Sequence, residues 1–330
     1  MPKSNNHLPT QYGFLAEKDR SFPSMVVVEI TNLCNLQCIH CPYTIISKKE
    51  NFRPRHMDWD LYKKIVHEVA QHKGIIFRIL SDGEPTVHPQ FYDMLTFAKE
   101  NNINPLNFIT NGLLLDESKA KKVLNTGVEI VEFSLDALHK ETYDKIRVGS
   151  NYNVVMRNVH NFIRLRNEMK AKTKIFVSII MQKESEHEYE DFVAYWTPKV
   201  DKVISRVYTS IHGLVNTKKL THEYERARWP CPQLWRRLFI NVDGFAEFCV
   251  EDWTDETIMG NVNKTSISEI WTSKEYAELR MHHLDGNFEK IPYCADCPDW
   301  QTREWDNNYF RAVKEVLSGG DPASRGGEQC

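Results

Sequence analysis

Cys34-Asn35-Leu36-Gln37-Cys38-Ile39-His40-Cys41 sets three thiols within eight residues, directly after an apolar run, Met25–Ile30, that reads as a buried strand. Three cysteines are one short of the four ligands that close a metal site. Such a set holds a [4Fe–4S] cluster with one iron left open to another ligand. It also suits a zinc ion, with His40 or a distant residue as the fourth ligand, because Cys and His spacing does not name its metal.

The chain has 330 residues, enough for one large domain and a smaller one. A chain of that length buries about three quarters of its unfolded surface and needs no disulfides to hold a core. Hydrophobic residues make up 41% and charged residues 26%, the balance of an ordinary globular protein. A formal net charge of −3 argues against nucleic acid or an anionic membrane as the main partner. Residues 1–23 are polar and lack the apolar centre of a signal peptide, and no apolar run is long enough to span a bilayer. The expectation is a cytoplasmic protein. In a reducing cytosol its eight cysteines read as metal ligands rather than disulfides. Three fall early, four late (Cys231, Cys249, Cys294, Cys297) and one at the end (Cys330), with none between 42 and 230, where most of the core is expected.

After the thiol loop, helical stripes alternate with short apolar runs. Asp58 is placed to cap a helix with Leu61, Ile65, Val66 and Val69 on one face, and Ile75–Leu80 follows as a strand. Phe91, Met94, Leu95 and Ala98 stripe a helix before strand Asn107–Thr110. A helix from about Ser118 to Gly127 precedes strand Glu129–Ser134. A helix over roughly Asn153–Lys170, strand Lys174–Ile180, a helix through Tyr189, Phe192 and Trp196, and strand Lys202–Tyr208 complete about six βα units. That order predicts an α/β fold, a partial (β/α)6 TIM-like barrel over 25–210 behind an N-terminal extension, 1–24. Barrel chemistry collects at the C-terminal ends of the strands. The thiol loop follows the first strand, Ser81-Asp82-Gly83-Glu84-Pro85 the second and Thr110-Asn111-Gly112 the third, while Ser134-Leu135-Asp136-Ala137 ends the fourth.

A C-x3-C-x2-C loop behind a first strand resembles the radical S-adenosylmethionine (SAM) superfamily, in which the open iron takes the amino and carboxylate groups of SAM. Asp82-Gly83-Glu84-Pro85 resembles that superfamily's Gly-Gly-Glu-Pro motif, whose bare backbone and carboxylate hold the SAM amino group. Asp82 stands in place of the first glycine. Ser134 and Asp136 resemble ribose-contacting residues of the fourth strand, and Asn111-Gly112 completes the set, though each stretch is also an ordinary turn or strand end. The resemblance runs over about residues 25–210. It implies Cys34, Cys38 and Cys41 as cluster ligands and Gly83, Glu84, Asn111, Ser134 and Asp136 as SAM-binding residues.

Residues 211–230 lack periodicity and read as a linker. Cys231-Pro232 follows, then a hairpin of Phe239–Val242 and Phe245–Cys249 turned by Asp243-Gly244, then Met259–Val262, Ile267–Trp271, a helix to about Leu284, and Cys294-Ala-Asp-Cys297. A C-terminal helix and a Gly-rich, disordered tail are expected over 301–330. Over 231–300 the succession resembles the small α+β SPASM or twitch extension of radical SAM enzymes, which houses auxiliary iron–sulfur clusters. The resemblance implies a second, auxiliary [4Fe–4S] cluster on Cys231, Cys249, Cys294 and Cys297, while four thiolates ending in C-x2-C also describe a zinc ribbon. The basic stretch Lys48, Lys49, Arg53, Arg55 and His56 reads as a solvated loop or as a contact for an anionic substrate or redox partner. Arg206, Tyr208 and His212 flank a substrate by position alone.

The resemblance further implies that a reduced cluster, fed by a low-potential donor such as flavodoxin or ferredoxin, cleaves SAM to a 5′-deoxyadenosyl radical that takes a hydrogen atom from the substrate. A closed four-thiol cluster suits an electron acceptor. The expected activity is therefore an oxidoreductase of the dehydrogenase type, acting on an alcohol of a sugar- or aminocyclitol-like small molecule. Three alternatives stay open: a peptide maturase, against which the short stretch before the first strand weighs, an epimerase with Cys249 as hydrogen donor, and a non-catalytic zinc scaffold. No motif names the substrate.

Overall fold

The structure, a computed structural model, describes residues 21–80, 82–215, 228–303, 305, 309–319 and 328–329. Ser81, the N-terminal extension to residue 20, most of the 211–230 linker, and Cys330 with most of its Gly-rich tail lie outside the described residues.

Strands β1 (Met25–Val28), β2 (Ile76–Ile79), β3 (Leu106–Thr110), β4 (Ile130–Ser134), β5 (Lys174–Met181) and β6 (Lys202–Val207) lie side by side in chain order and pair in parallel. Helices α1 (Tyr43–Ile46), α2 (Trp59–Val69), α3 (Phe91–Glu100), α4 (Glu117–Thr126), α5 (Lys140–Ile146), α6 (Tyr152–Glu168) and α7 (Tyr189–Trp196) connect them. The capping chemistry sets the helix ends. The Asp58 carboxylate accepts the N–H groups of Asp60 and Leu61, so α2 starts at Trp59 and buries Leu61, Ile65, Val66 and Val69. Gly127, at φ 77°, ends α4 in a conformation that a side chain resists. Asn151 accepts from Val154 N and starts α6 a residue ahead of the expected Asn153. α5 went unforeseen: seven residues with three buried positions are too short to show a period.

The chain then returns to the barrel. After α8 (Gln233–Arg236), strand β7 (Arg237–Ile240) pairs in parallel with β1, Met25 opposite Arg237. β8 (Phe245–Glu247) and β9 (Ile258–Asn261) follow antiparallel, so the expected hairpin extends the barrel's own sheet. Helices α9 (Ile267–Trp271), α10 (Lys274–Leu284) and α11 (Pro292–Ala295) complete the late unit. The C-terminal helix, α12 (Tyr309–Leu317), is no appendage. Tyr309, Phe310, Ala312 and Val313 pack against Met25, Val27, Ile76, Ile130, Phe176, Ile204 and Phe239. Burying the larger of these side chains, such as Phe310 and Val313, contributes about 1.5–3 kcal/mol each. Lys202, almost fully buried, reaches Glu315 of α12 at 3.5 Å. In the tail, Glu328–Gln329 forms a two-residue strand, β10, parallel to β6. No described helix is long and apolar enough to cross a membrane.

Glu29 ties β1 to both neighbours: its carboxylate accepts Asp82 N at 3.2 Å and Val242 N at 2.9 Å. Burial raises its pKa to about 7 despite those two bonds, with Asp255 and Asp243 adding to the rise. A carboxyl raised when folded favours the native state below its ordinary value of 4.5, and that contribution is lost as pH rises through 7. The Glu29→Gln protein should therefore show a thermal midpoint that changes less than the parent's between about pH 5 and pH 8, measured by anaerobic thermal unfolding. Parallel pH profiles would refute this.

Candidate functional site

The loops after the parallel strands enclose a cavity of about 400 Å³. Cys34, Cys38, Cys41, Gly83, Glu84, Asn111, Ser134 and Asp136 all line it, so the early candidates from four strand ends come together on one space.

The thiol loop is fixed by its backbone. Gln37 N donates to Val148 O at 2.8 Å and Ile39 N to Ile146 O at 3.0 Å, which laces the loop to the end of α5. Leu33 O accepts Glu84 N at 2.7 Å, and Asn35 Oδ1 accepts Asn111 Nδ2 at 2.8 Å. Gly83 lies so close that a Cβ there would stand 2.0 Å from Leu33 O. The bare backbone expected to serve a ligand is thus already required by the thiol loop.

Glu84 is buried and organises the next two loops. Its Oε1 accepts Thr86 N at 3.2 Å and the hydroxyls of Thr86 and Thr110 at 2.6 Å, while Oε2 accepts Asn111 N at 2.7 Å. Burial nevertheless raises its pKa, against the lowering by these bonds. A carboxylate offers about four acceptor sites, two on each oxygen, so Oε2 keeps room for one more donor, such as an ammonium.

Asp136 lines the cavity and is itself held by several bonds. Its Oδ1 accepts Ile180 N at 2.8 Å, and its Oδ2 meets Arg147 Nη2 at 2.5 Å and His40 Nε2 at 3.5 Å. Its backbone is held at φ 62°, an unfavourable state for an aspartate that these bonds offset. Arg147 also points Nη1 at Cys38 Sγ, 3.7 Å away. A guanidinium beside a thiol favours the thiolate. Sequence reasoning missed Arg147 because it follows a short helix and belongs to no motif. His40, weighed as a zinc ligand, instead faces Asp136 and lies 3.4 Å from Gln182 Nε2.

All seven described cysteines are free thiols. Burial pushes Cys34 up to about 12 and raises Cys38 and Cys41 as well. Neighbouring thiols oppose one another's ionisation, and only a metal centre makes three thiolates favourable together. No three His, Cys, Asp or Glu side chains among the described residues converge on a single ion. The late thiols behave alike. Cys231, Cys249, Cys294 and Cys297 line one small cavity of about 40 Å³ with His283, Glu251 and Arg303. Burial raises all four, Cys297 to about 11. The donor sets fit iron–sulfur clusters at both places.

Arg206 and Tyr208 line the larger cavity, whereas His212 stacks on Tyr293 at 3.9 Å in the late unit and is not among the lining residues. Lys49, Arg53 and Arg55 line a separate cleft of about 270 Å³ facing Asp82, Asp243, Asp252 and Asp255. Two residues at the main cavity were unforeseen: Arg78 lines it, and Glu132, fully buried, pairs with Arg78 at 3.0 Å and Arg206 at 2.5 Å. Their signal was available, because a charge inside an apolar run needs a partner.

Comparison with known proteins bears on the same residues. A model of the radical SAM superfamily matches residues 28–195, and one of the SPASM iron–sulfur cluster-binding domain matches 231–298. A tungsten-containing aldehyde ferredoxin oxidoreductase cofactor-modifying protein of Pyrococcus furiosus is 26% identical over 320 residues, 82% of this chain and 86% of its own length. A mycofactocin maturase of Mycolicibacterium smegmatis is 25% identical over 178 residues, 54% of this chain, and the match spans only 43% of the maturase. Among solved structures, BtrN in complex with AdoMet and 2-DOIA superposes with a TM-score of 0.57 at 18% identity, over 83% of this chain and 92% of that one. Streptococcus suis SuiB bound to SAM gives 0.66 at 16% identity, over 96% and 81%, and SuiB has also been solved with a precursor peptide. At these identities the structures speak to the fold: a partial TIM-like barrel with a parallel sheet, followed by a SPASM domain.

Proposed function

The chain belongs to the radical SAM superfamily and carries a SPASM domain, and from that premise we propose that it oxidises an alcohol of a small, carbohydrate-like molecule held in the barrel cavity. Membership sets aside the non-catalytic zinc scaffold. The observation that carries the reading is the continuity of the two sites. Gln233, Glu251 and Arg303 line both the barrel cavity and the four-thiol cavity. A substrate beside the three-thiol loop is thus separated from the second thiol set by side chains common to both. Loaded, the two sites supply a hydrogen-atom acceptor and an electron acceptor, which together turn an alcohol carbon into a carbonyl with loss of a proton.

The chain's own residues do the positioning. Cys34, Cys38 and Cys41 would hold the first cluster, and Cys231, Cys249, Cys294 and Cys297 the auxiliary one. Gly83, Glu84, Asn111 and Ser134 would cradle SAM, with the free acceptor site of Glu84 suited to its ammonium. Asp136 contributes by holding Arg147 against the cavity. Phe239, Tyr309 and Phe310 form apolar wall that excludes water from the reacting carbon. Cys249 lines the four-thiol cavity and not the barrel cavity, which supports a ligand role over hydrogen donation and so oxidation over epimerisation. Peptide modification is the second reading, supported by the similarity to the mycofactocin maturase.

The test is anaerobic turnover with SAM, dithionite and carbon-deuterated polyols. Deuterium should enter 5′-deoxyadenosine and a ketone should form. Deuterium transfer from a peptide with none from any polyol would overturn the reading. So would a Cys249→Ala protein that keeps its full iron content yet loses an epimerisation activity of the parent.

A further inference from the structure

The barrel cavity is crowded with guanidinium groups: Arg78, Arg206, Arg236, Arg237 and Arg303 all line it. Their acidic partners are fewer. Glu132 serves both Arg78 and Arg206, and Glu251 serves Arg303. Arg236 donates to the carbonyl of Trp305 at 3.1 Å and lies 5.1 Å from the centre of one of its rings. The side chain of Arg237 has no hydrogen bond or ion pair with any described residue, and its Nε is buried without a partner. Burial and the neighbouring Arg303 and Arg78 pull it down to about 9, with Cys231 acting in the opposite direction.

A desolvated cation set among like charges is unfavourable until an anion joins it. The planar fork of a guanidinium matches the paired oxygens of a carboxylate or phosphate. We propose that this cavity takes a substrate bearing an oxyanion, a phosphomonoester or a carboxylate, gripped by Arg237 with Arg206 beside it. The inference rests on reading the barrel cavity as the substrate site, and it narrows that substrate from any polyol to an acidic one. A neutral polyol would leave the half-buried Arg237 side chain unpaired, as it stands.

Binding without turnover tests this, on the intact anaerobic protein loaded with both clusters and SAM. Inorganic phosphate and malonate are titrated, with neutral inositol as control, against the parent, Arg237→Gln and Arg237→Lys. Saturable binding of at least one anion is expected, weakened about tenfold or more in R237Q and partly restored in R237K. The tighter anion distinguishes phosphomonoester from carboxylate. The same anion should shield Arg237 from phenylglyoxal in the parent, a readout that needs no variant to fold. Failure of both anions to bind or to shield overturns the proposal, as does equal binding by R237Q with its SAM affinity and cluster spectra intact. A shifted midpoint potential of the four-thiol cluster in R237Q, with anion binding unchanged, also overturns it and makes Arg237 a counter-charge to those thiolates. A parent protein that binds anions at Arg237 but abstracts no hydrogen from acidic or neutral polyols would instead sink the proposed function and leave this site standing.

Discussion

Replacing any one of Cys34, Cys38 and Cys41 with alanine is expected to reduce SAM cleavage by more than about a thousandfold, because the group performing the chemistry supplies most of an enzyme's rate enhancement. The loop that carries these thiols is pinned at Leu33, Asn35, Gln37 and Ile39, so it has little freedom to recruit a substitute ligand. The nearest spare donor in sequence, His40, is turned toward Asp136. Methionine and 5′-deoxyadenosine formed under dithionite measure the loss. Iron and sulfide should fall by one cluster, while the four-thiol cavity, built from Cys231, Cys249, Cys294 and Cys297, keeps its share. A Cys38→Ala protein that still cleaves SAM at the parent's rate would refute the assignment.

The second large effect is expected from a single methyl group. In Gly83→Ala the new Cβ would meet Leu33 O at 2.0 Å and Leu33 C at 2.4 Å, both backbone atoms that cannot rotate away. Overpacking that side chains absorb costs about 1–3 kcal/mol, and here the thiol loop or the Glu84 loop must move bodily. A loss of about 3 kcal/mol is expected, which at 2–4 °C per kcal/mol for a large domain lowers the melting temperature by roughly 6–12 °C. Iron should be lost from the three-thiol site and retained by the other. Gly74→Ala is the control: its φ of 74° strains an alanine, but nothing lies within 4 Å of the added atom. It should melt slightly lower with both clusters intact. Equal iron contents in the two variants would show that the contact at Gly83 is relieved elsewhere.

The barrel was legible because its helices are striped and its strands are short apolar runs. Ile75–Leu80 was expected and Ile76–Ile79 is the strand. The strand-end residues were legible because parallel sheets gather their C-terminal ends, so Cys34, Glu84, Asn111 and Asp136 meet without any contact being deducible beforehand. What those side chains bond to was not legible. Arg147 reaches Asp136 only through the packing of α5, and a residue's tertiary neighbours leave no mark in its local pattern. Likewise Asp243-Gly244 announced the hairpin, but alternation says which face of a strand is buried and not which strand lies beside it. The pairing of β7 with β1 was therefore hidden, as was the place of Tyr309 inside the barrel, 3.8 Å over Arg78.

That pairing has a consequence for electron movement. Electron tunnelling falls off steeply with distance, so two redox centres on hinged domains would exchange electrons at a fluctuating rate. Here the strand that feeds the Cys34 loop and the strand that follows Cys231 share one ladder, Met25 to Arg237 and Val28 to Ile240. Their separation can change only by whole residue steps of about 3.3 Å, and one such step would turn Arg237 and Phe239 out of the barrel. In the proposed reaction the sheet would serve as a ruler, fixing the register of the strand that leads to Cys34 against the strand that follows Cys231.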